Sequence, residues 1–273
     1  MNATVRRLRR PGHLRRPNAL EARRGLPSGR IVVVSPHLDD GVFSVGGLIS
    51  ALTRTGAEVI VLTVFAGDPE SSAPPGWWDG RVGFRTAGAA ARARREEDRR
   101  ACALVGATPV WLPFVDCQYT QDNSAVLDAM APFLSRADGL LVPGFPLENP
   151  DHHWLHEQLL ERLAELPPVS LYCEQPYAEQ VWFMESRLPS SPAGDPLSMV
   201  RWVSFRPPPI DWWRKQRAFR AYDSQLRGMS RPKGRVPLRI ALYELRLGGE
   251  VLGLLNERTG KVSLAASERL QHS

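Results

Sequence analysis

A chain of 273 residues, 43% of them hydrophobic, is long enough for one large α/β domain or two small ones. Its three cysteines lack a CxxC spacing, which excludes a disulfide scaffold, and no run approaches the roughly 18 apolar residues of a membrane span. The net charge of +6 is confined to one end: residues 1–30 hold nine arginines and one glutamate, so the rest of the chain sums to −2.

In chain order, residues 1–29 come first. They contain prolines, glycines and no sustained apolar period, which predicts a solvated, disordered basic tail ahead of a single domain over 30–273. The near-neutral body argues against a specific nucleic-acid partner. With no apolar h-region in the tail, and with Cys102, Cys117 and Cys173 read as reduced, buried thiols, the expected location is cytoplasmic.

"RIVVVSPH" is a β-branched run of the kind buried on both faces of a sheet. "GVFSVGGLISALTRTG" has helical apolar spacing and stops at Gly56, and "AEVIVLTVFAG" is a second strand. Strand, helix and strand make a βαβ unit with parallel strands. Residues 67–91 are rich in Gly, Pro and Ser and predict a long functional loop, with Trp77 and Trp78 as candidates to stack on a flat ligand or sugar.

"ARARREEDRRACALVGA" is an amphipathic helix ending at Gly106, and "PVWLPFVD" a third strand ending in Asp116. A helix over "SAVLDAMAPFLSRA" and a strand over "DGLLVPGF" follow. "NPDHHWLHEQLLERLAEL" predicts a helix with Asn149 as N-cap and Pro150 in its first turn, and "VSLYCEQPYA" a fifth strand. Residues 179–210 read as loop with a short strand pair, and "IDWWRKQRAFRAYDSQL" as one late helix whose Trp212 and Trp213 serve packing. "LRIALYELRLGGEVLGLLN" reads as two strand-like pieces around a Gly-Gly turn. The whole predicts a Rossmann-like, doubly wound α/β fold, with a mostly parallel sheet and C-terminal antiparallel additions.

Such folds bind ligands at the carboxyl ends of their parallel strands. His37, Asp39 and Asp40 lie at that end of the first strand, Asp116 at that end of the third, and Asn149 to His153 at that end of the fourth. Adjacent carboxylates repel unless positive charge sits beside them, and a divalent metal supplies it. Two ligands would come from His37 and Asp40 and a third from His152, His153 or His156; Asp39 is then free to take a proton from a bound water. Four of the six histidines fall in these two short stretches, which separates a site from scatter. Asp as a plain helix N-cap is the competing reading of His-x-Asp-Asp taken alone.

"SPHLDDGVFSVGG" followed by "NPDHHWLHE" resembles the PIG-L/LmbE-like zinc-dependent N-deacetylases, whose motifs are Pro-His-Pro-Asp-Asp and His-Pro-Asp-His. "RREEDRRACALVGA", Asp116 and "KQRAFRAYDSQL" extend the resemblance over about residues 31–230. It implies that His37, Asp40 and His152 bind Zn2+, with Fe2+ the other candidate ion, and that Asp39 is the general base. It implies that Arg94, or Arg95 beside it, and Asp116 contact an N-acetylated amino sugar or glycosylated small molecule. Leu38 replaces a proline of the family pattern, and Asn149 replaces the histidine that polarises the carbonyl or protonates the amine. An Asn149 amide can donate to an oxyanion but cannot deliver a proton, which leaves as candidate acids Asp39, protonated after its base step, and His156, one turn beyond His152.

An enzyme removing an N-acetyl group is the first expectation, and a metal-binding protein of the same fold with weakened turnover the alternative. Since the tail has too little apolar content to join a core, deleting residues 1–28 should leave the melting temperature and activity unchanged. A scanning-calorimetry comparison of the two chains checks this.

Overall fold

A computed structural model describes residues 29–179, 200–229 and 235–255; of the tail expected over residues 1–29, all but the last residue lies outside them. The elements are β1 (Arg30–Ser35), α1 (Asp40–Arg54), β2 (Glu58–Thr63), α2 (Trp77–Val82), α3 (Ala87–Val105), β3 (Thr108–Trp111), α4 (Val126–Leu134), β4 (Gly139–Phe145), α5 (Pro150–Leu160), β5 (Val169–Cys173), β6 (Val200–Phe205), α6 (Pro209–Phe219), α7 (Asp223–Met229), α8 (Arg235–Leu247) and β7 (Glu250–Leu255). Seven strands form one mixed sheet in the order β3-β2-β1-β4-β5-β7-β6. The first five run parallel, and β7 joins β5 and β6 antiparallel.

Alternate residues of the central strands feed opposite faces, as a strand buried on both sides requires. Ile31, Val33, Val59 and Val61 pack with Phe43, Leu48, Val105 and Phe219. Val32, Val34, Ile60 and Leu62 pack with Met130, Leu134, Leu155 and Leu159. β1 sits where the strand order reverses, between β2 and β4. The crevice beyond its carboxyl end is where a doubly wound sheet offers a ligand site.

Four expectations change. Residues 67–91 are not loop throughout, because α2 forms within them. The late helix is two helices, α6 and α7, interrupted at Arg220–Tyr222. "LRIALYELRL" is the helix α8, and only β7 after it is a strand. Strand β6 pairs with β7 and not within residues 179–210, part of which lies outside the described residues. Two side-chain readings change as well. Trp212 and Trp213 are 39% and 49% exposed, and Cys117 is exposed while Cys102 and Cys173 are buried.

Helix α1 is kinked at Val45, whose φ of −130° and ψ of 24° are not helical. The kink frees backbone groups that must find other partners. Glu250 at the start of β7 accepts from the Gly47 and Leu48 amides at 2.8 and 2.7 Å, and Lys215 on α6 donates to the Ser44 carbonyl at 3.1 Å. A Cβ at Gly47 would lie 2.5 Å from Pro207, so only glycine lets the chain come this close. Fully buried Lys215 also pairs with Glu250 at 2.6 Å and with Glu244 of α8 at 2.5 Å.

One ammonium between two buried carboxylates leaves a negative charge in excess, and burial together with Glu250 pushes Glu244 up to about 7. Removing the cation strands both carboxylates. Lys215→Met should therefore cost about 3–5 kcal/mol in urea unfolding. A carboxyl whose pKa is higher folded than unfolded binds more protons in the native state over that interval, so stability falls as pH rises from about 4.5 to about 7. This loss should be smaller in Glu244→Gln, measured by the same unfolding at several pH values.

Candidate metal centre

Strand β1 ends at Ser35, and the chain turns through Pro36–Asp39 into α1. The Ser35 hydroxyl accepts from the Gly41 amide at 2.9 Å, and Asp40 accepts from the His37 amide at 2.9 Å. These bonds fix Asp40 and His37 on one side of the turn. Asp39 occupies the N-cap position of α1 but makes no side-chain cap bond. The carboxylate at the N-cap is thus not spent on the helix, which removes the plain-cap reading of this motif.

Helix α5 starts beyond the neighbouring strand β4. Its N-cap is Asn149, whose Oδ1 accepts from the Asp151 amide at 2.9 Å, as the sequence predicts. The third helical residue, His152, is fully buried and points back to β1. His152 Nε2 stands 3.0 Å from His37 Nδ1 and 3.1 Å from Asp40 Oδ2, and His37 Nδ1 stands 3.2 Å from the same oxygen. Among the described residues, His37, Asp40 and His152 form the group able to hold a metal ion.

The donor set fits such an ion. Ligands about 2.0–2.1 Å from a tetrahedral zinc lie roughly 3.3 Å apart, close to all three sides of this triangle. The outer nitrogen of each imidazole is also held by a carboxylate: His37 Nε2 by Asp151 at 2.9 Å and His152 Nδ1 by Glu174 at 2.6 Å. Carboxylate, histidine and metal in line is the usual support of a metal-bound imidazole. Asp151 is itself held by Gln121 at 2.8 Å and the Cys117 amide at 2.8 Å.

The electrostatics ask for positive charge at this point. Burial raises Asp40, but His152 and His37 outweigh it and draw its pKa well below the carboxylate range. Burial disfavours charged His37, yet its bonds to Asp151 and Asp40 lift it to about 9, and His152 rises by the same opposition. A divalent ion satisfies the same field while both imidazoles stay neutral. Asp39 is different: burial and neighbouring Asp40 push it up to about 7 against the pull of Arg94. Left out of the triangle and out of the helix cap, Asp39 is the carboxylate free for proton transfer.

The remaining predicted residues are placed as follows. Arg94 on α3 and Asp116 after β3 do meet, with Arg94 NH1 3.4 Å from Asp116 and 3.4 Å from Asp79. They line a cavity of about 110 Å³ together with Phe65, whose ring centroid is 6.1 Å from that of His37. Trp77 is 68% exposed. Trp78 donates from Nε1 to Gln225 of α7 at 3.0 Å, and neither tryptophan lines this cavity. His156 is buried, with Nδ1 on the Pro143 carbonyl at 2.7 Å, Nε2 unpartnered among the described residues, and its pKa lowered chiefly by burial. His153 is exposed beside Glu157, 3.4 Å away.

Sequence reasoning missed Asp79, Asp151 and Glu174. Asp151 stands inside "NPDHH", and its position before His152 was the available signal. Asp79 lies in an apparent loop, and Glu174 one residue past β5 carries no motif.

Residues 32–163 match the family model PIG-L, GlcNAc-PI de-N-acetylase. A curated relative, the 2'-N-acetylparomamine deacetylase of Streptomyces fradiae, is 32% identical over 179 residues, 58% of this chain. The chain spans 61% of that relative's length. Among solved structures, the A40926 pseudoaglycone deacetylase Dbv21 superposes with a TM-score of 0.65 at 26% identity, over 82% of this chain and 95% of that one. The zinc-inhibited form of teicoplanin deacetylase Orf2 shares the fold, with a TM-score of 0.66 at 21% identity over 82% and 97% of the two chains.

Asp151→Asn and Glu174→Gln should each leave the fold intact and weaken divalent-metal affinity by about 10–100-fold, read by competition with a chromophoric chelator. Unchanged affinity in both would mean that the triangle holds its ion without these carboxylates.

Proposed function

We propose, from the match of residues 32–163 to the PIG-L family model, that the protein is a zinc-dependent N-deacetylase of an amino sugar or glycosylated metabolite. The observation that carries the proposal is the triangle of His37, Asp40 and His152 with uncapped Asp39 beside it. A divalent ion held there would supply Lewis acidity, polarising the amide carbonyl and lowering the pKa of water.

This chain's own residues do the rest. Asp39 takes a proton from the attacking water. Asn149, with its Oδ1 committed to the helix cap, has only its amide NH2 left to donate to the oxyanion. No proton can come from that group, so Asp39 returns the one it gained to the departing amine. His156 is held neutral, and its Nδ1 is occupied by Pro143, so it supports the α5–β4 contact before any acid role. Arg94 and Asp116 hold hydroxyl groups of the substrate in the adjoining cavity.

Two of the similar proteins are named for deacetylation, one of 2'-N-acetylparomamine and one of the A40926 pseudoaglycone, and both names support an acetyl group as the reacting part. We place the reaction inside the cell and treat residues 30–273 as its single functional unit.

The test is acetate release from N-acetylated amino sugars by zinc-loaded protein. Asp39→Asn should retain one zinc per chain and lose about 10²–10⁴-fold in turnover. Loss of zinc in that variant would exchange the roles of Asp39 and Asp40. Metal-loaded protein that releases no acetate from any acetamido sugar would favour the alternative to which Asn149 points, a binding protein without turnover.

A further inference from the structure

The cavity beside the metal triangle is lined by three carboxylates, Asp68, Asp79 and Asp116, and by one cation, Arg94. Arg94 offers the same nitrogen to Asp79 and Asp116 at 3.4 Å each, both long for a charged pair. The other partners of those carboxylates are neutral. Tyr119 donates to Asp79 at 2.7 Å, and Gln118 donates its side chain and amide to Asp116 at 2.9 and 3.2 Å. Asp68 is exposed at the rim, where it accepts the Glu70 amide at 2.9 Å.

Of the neighbouring arginines, Arg95 feels the charge of Asp68 at the rim and offsets it in part. Arg92 donates to the Pro69 carbonyl and Arg95 to the Ala66 and Gly67 carbonyls, and neither lines the cavity. A divalent ion would be balanced by Asp39 and Asp40, so inside the cavity Asp79 and Asp116 share the one cation Arg94 and keep a formal negative charge in excess. Arg94 is only 7% exposed and leaves its Nε without a hydrogen-bond partner among the described residues. A buried guanidinium N–H left open is a donor waiting for a ligand oxygen.

From this arrangement we infer that the cavity selects acetamido sugars that also carry free ammonium groups, in preference to neutral glycosides. A hydroxyl oxygen answers Arg94, and an ammonium answers the surplus of Asp79 and Asp116, with Asp68 adding to the field at the rim. In a recess shielded from water such a charge pairing counts for more than at the surface, and the same negative field steers cationic substrates inward. The inference rests on the deacetylase reading for the reacting group but concerns the part of the substrate that does not react.

Binding and turnover separate the two. Calorimetry on zinc-loaded Asp39→Asn protein, with Asp68→Asn and Asp116→Asn made in that same background so that the lost Asp39 charge is common to all, would compare 2'-N-acetylparomamine, which keeps its cyclitol amines, with neutral N,N'-diacetylchitobiose. The expected result is at least about tenfold tighter binding of the ammonium probe, with the preference shrinking as salt is added. Asp68→Asn, a change at an exposed position, and Asp116→Asn should each reduce the preference roughly threefold. Equal affinities, no binding of the ammonium probe, or a preference untouched by salt and by both substitutions would overturn the inference. If the ammonium probe binds as expected but wild-type protein releases acetate from neither compound, the selectivity stands and the deacetylase reading falls.

Discussion

Everything at this site depends on bringing three lone pairs to within about 3 Å of one point inside the protein, from residues 115 positions apart. Like groups do not gather in an apolar interior of their own accord. The fold forces the meeting by placing β1 and β4 side by side, so that the turns leaving both open onto one crevice. Asp40 is the first residue of α1 and His152 the third of α5, positions at which a helix has scarcely left the sheet rim. Moving either residue by one position along its helix would rotate it by about 100° and open the triangle.

The carboxylates behind the histidines make that gathering tolerable and also directional. Asp151 and Glu174 each take the outer nitrogen of one imidazole, so the inner nitrogens must present lone pairs if the rings are neutral. Asp39, with no such partner, is left to respond to its surroundings, and burial moves it toward neutrality while Asp40 moves the other way. Two adjacent residues of one type thereby acquire different chemistry from geometry alone.

How far the sequence revealed this follows from which signals are local. β1, α1 and β2 were legible because buried β-branched runs and a helical stripe occupy separate short windows, and the motif residues follow directly. His152 was singled out from three candidates only through a family resemblance, since spacing alone left His153 and His156 open. Glu174 was invisible because nothing within its own window distinguishes it from a solvated carboxylate. Helix α8 was misread for a definable reason. Val236, Ile240, Tyr243 and Leu247 form its buried stripe, but Leu238, Leu242 and Leu245 are exposed at 59%, 57% and 70%. The second set, interleaved with the first, imitates the alternation of a strand. The short helix α2 was hidden by the glycines and prolines around it, and with it went Asp79.

The boundary of the working unit is not the boundary of the family match. That match stops at residue 163, yet Glu174, which holds His152, comes from β5, and Glu250, which caps the freed amides of α1, comes from the antiparallel strand β7. Lys215 and Glu244 join the same cluster from α6 and α8. The kink they support lies only five residues beyond Asp40, within the helix whose first residue is a candidate ligand. A helix bent there without partners would leave the Gly47 and Leu48 amides and the Ser44 carbonyl unsatisfied in the core, at about 1–3 kcal/mol for each group. Straightening it would restore those bonds but redirect its first turn, and Asp40 with it. The antiparallel strand β7 therefore bears on the candidate metal centre, because its Glu250 holds the bend that aims one of the three candidate donors.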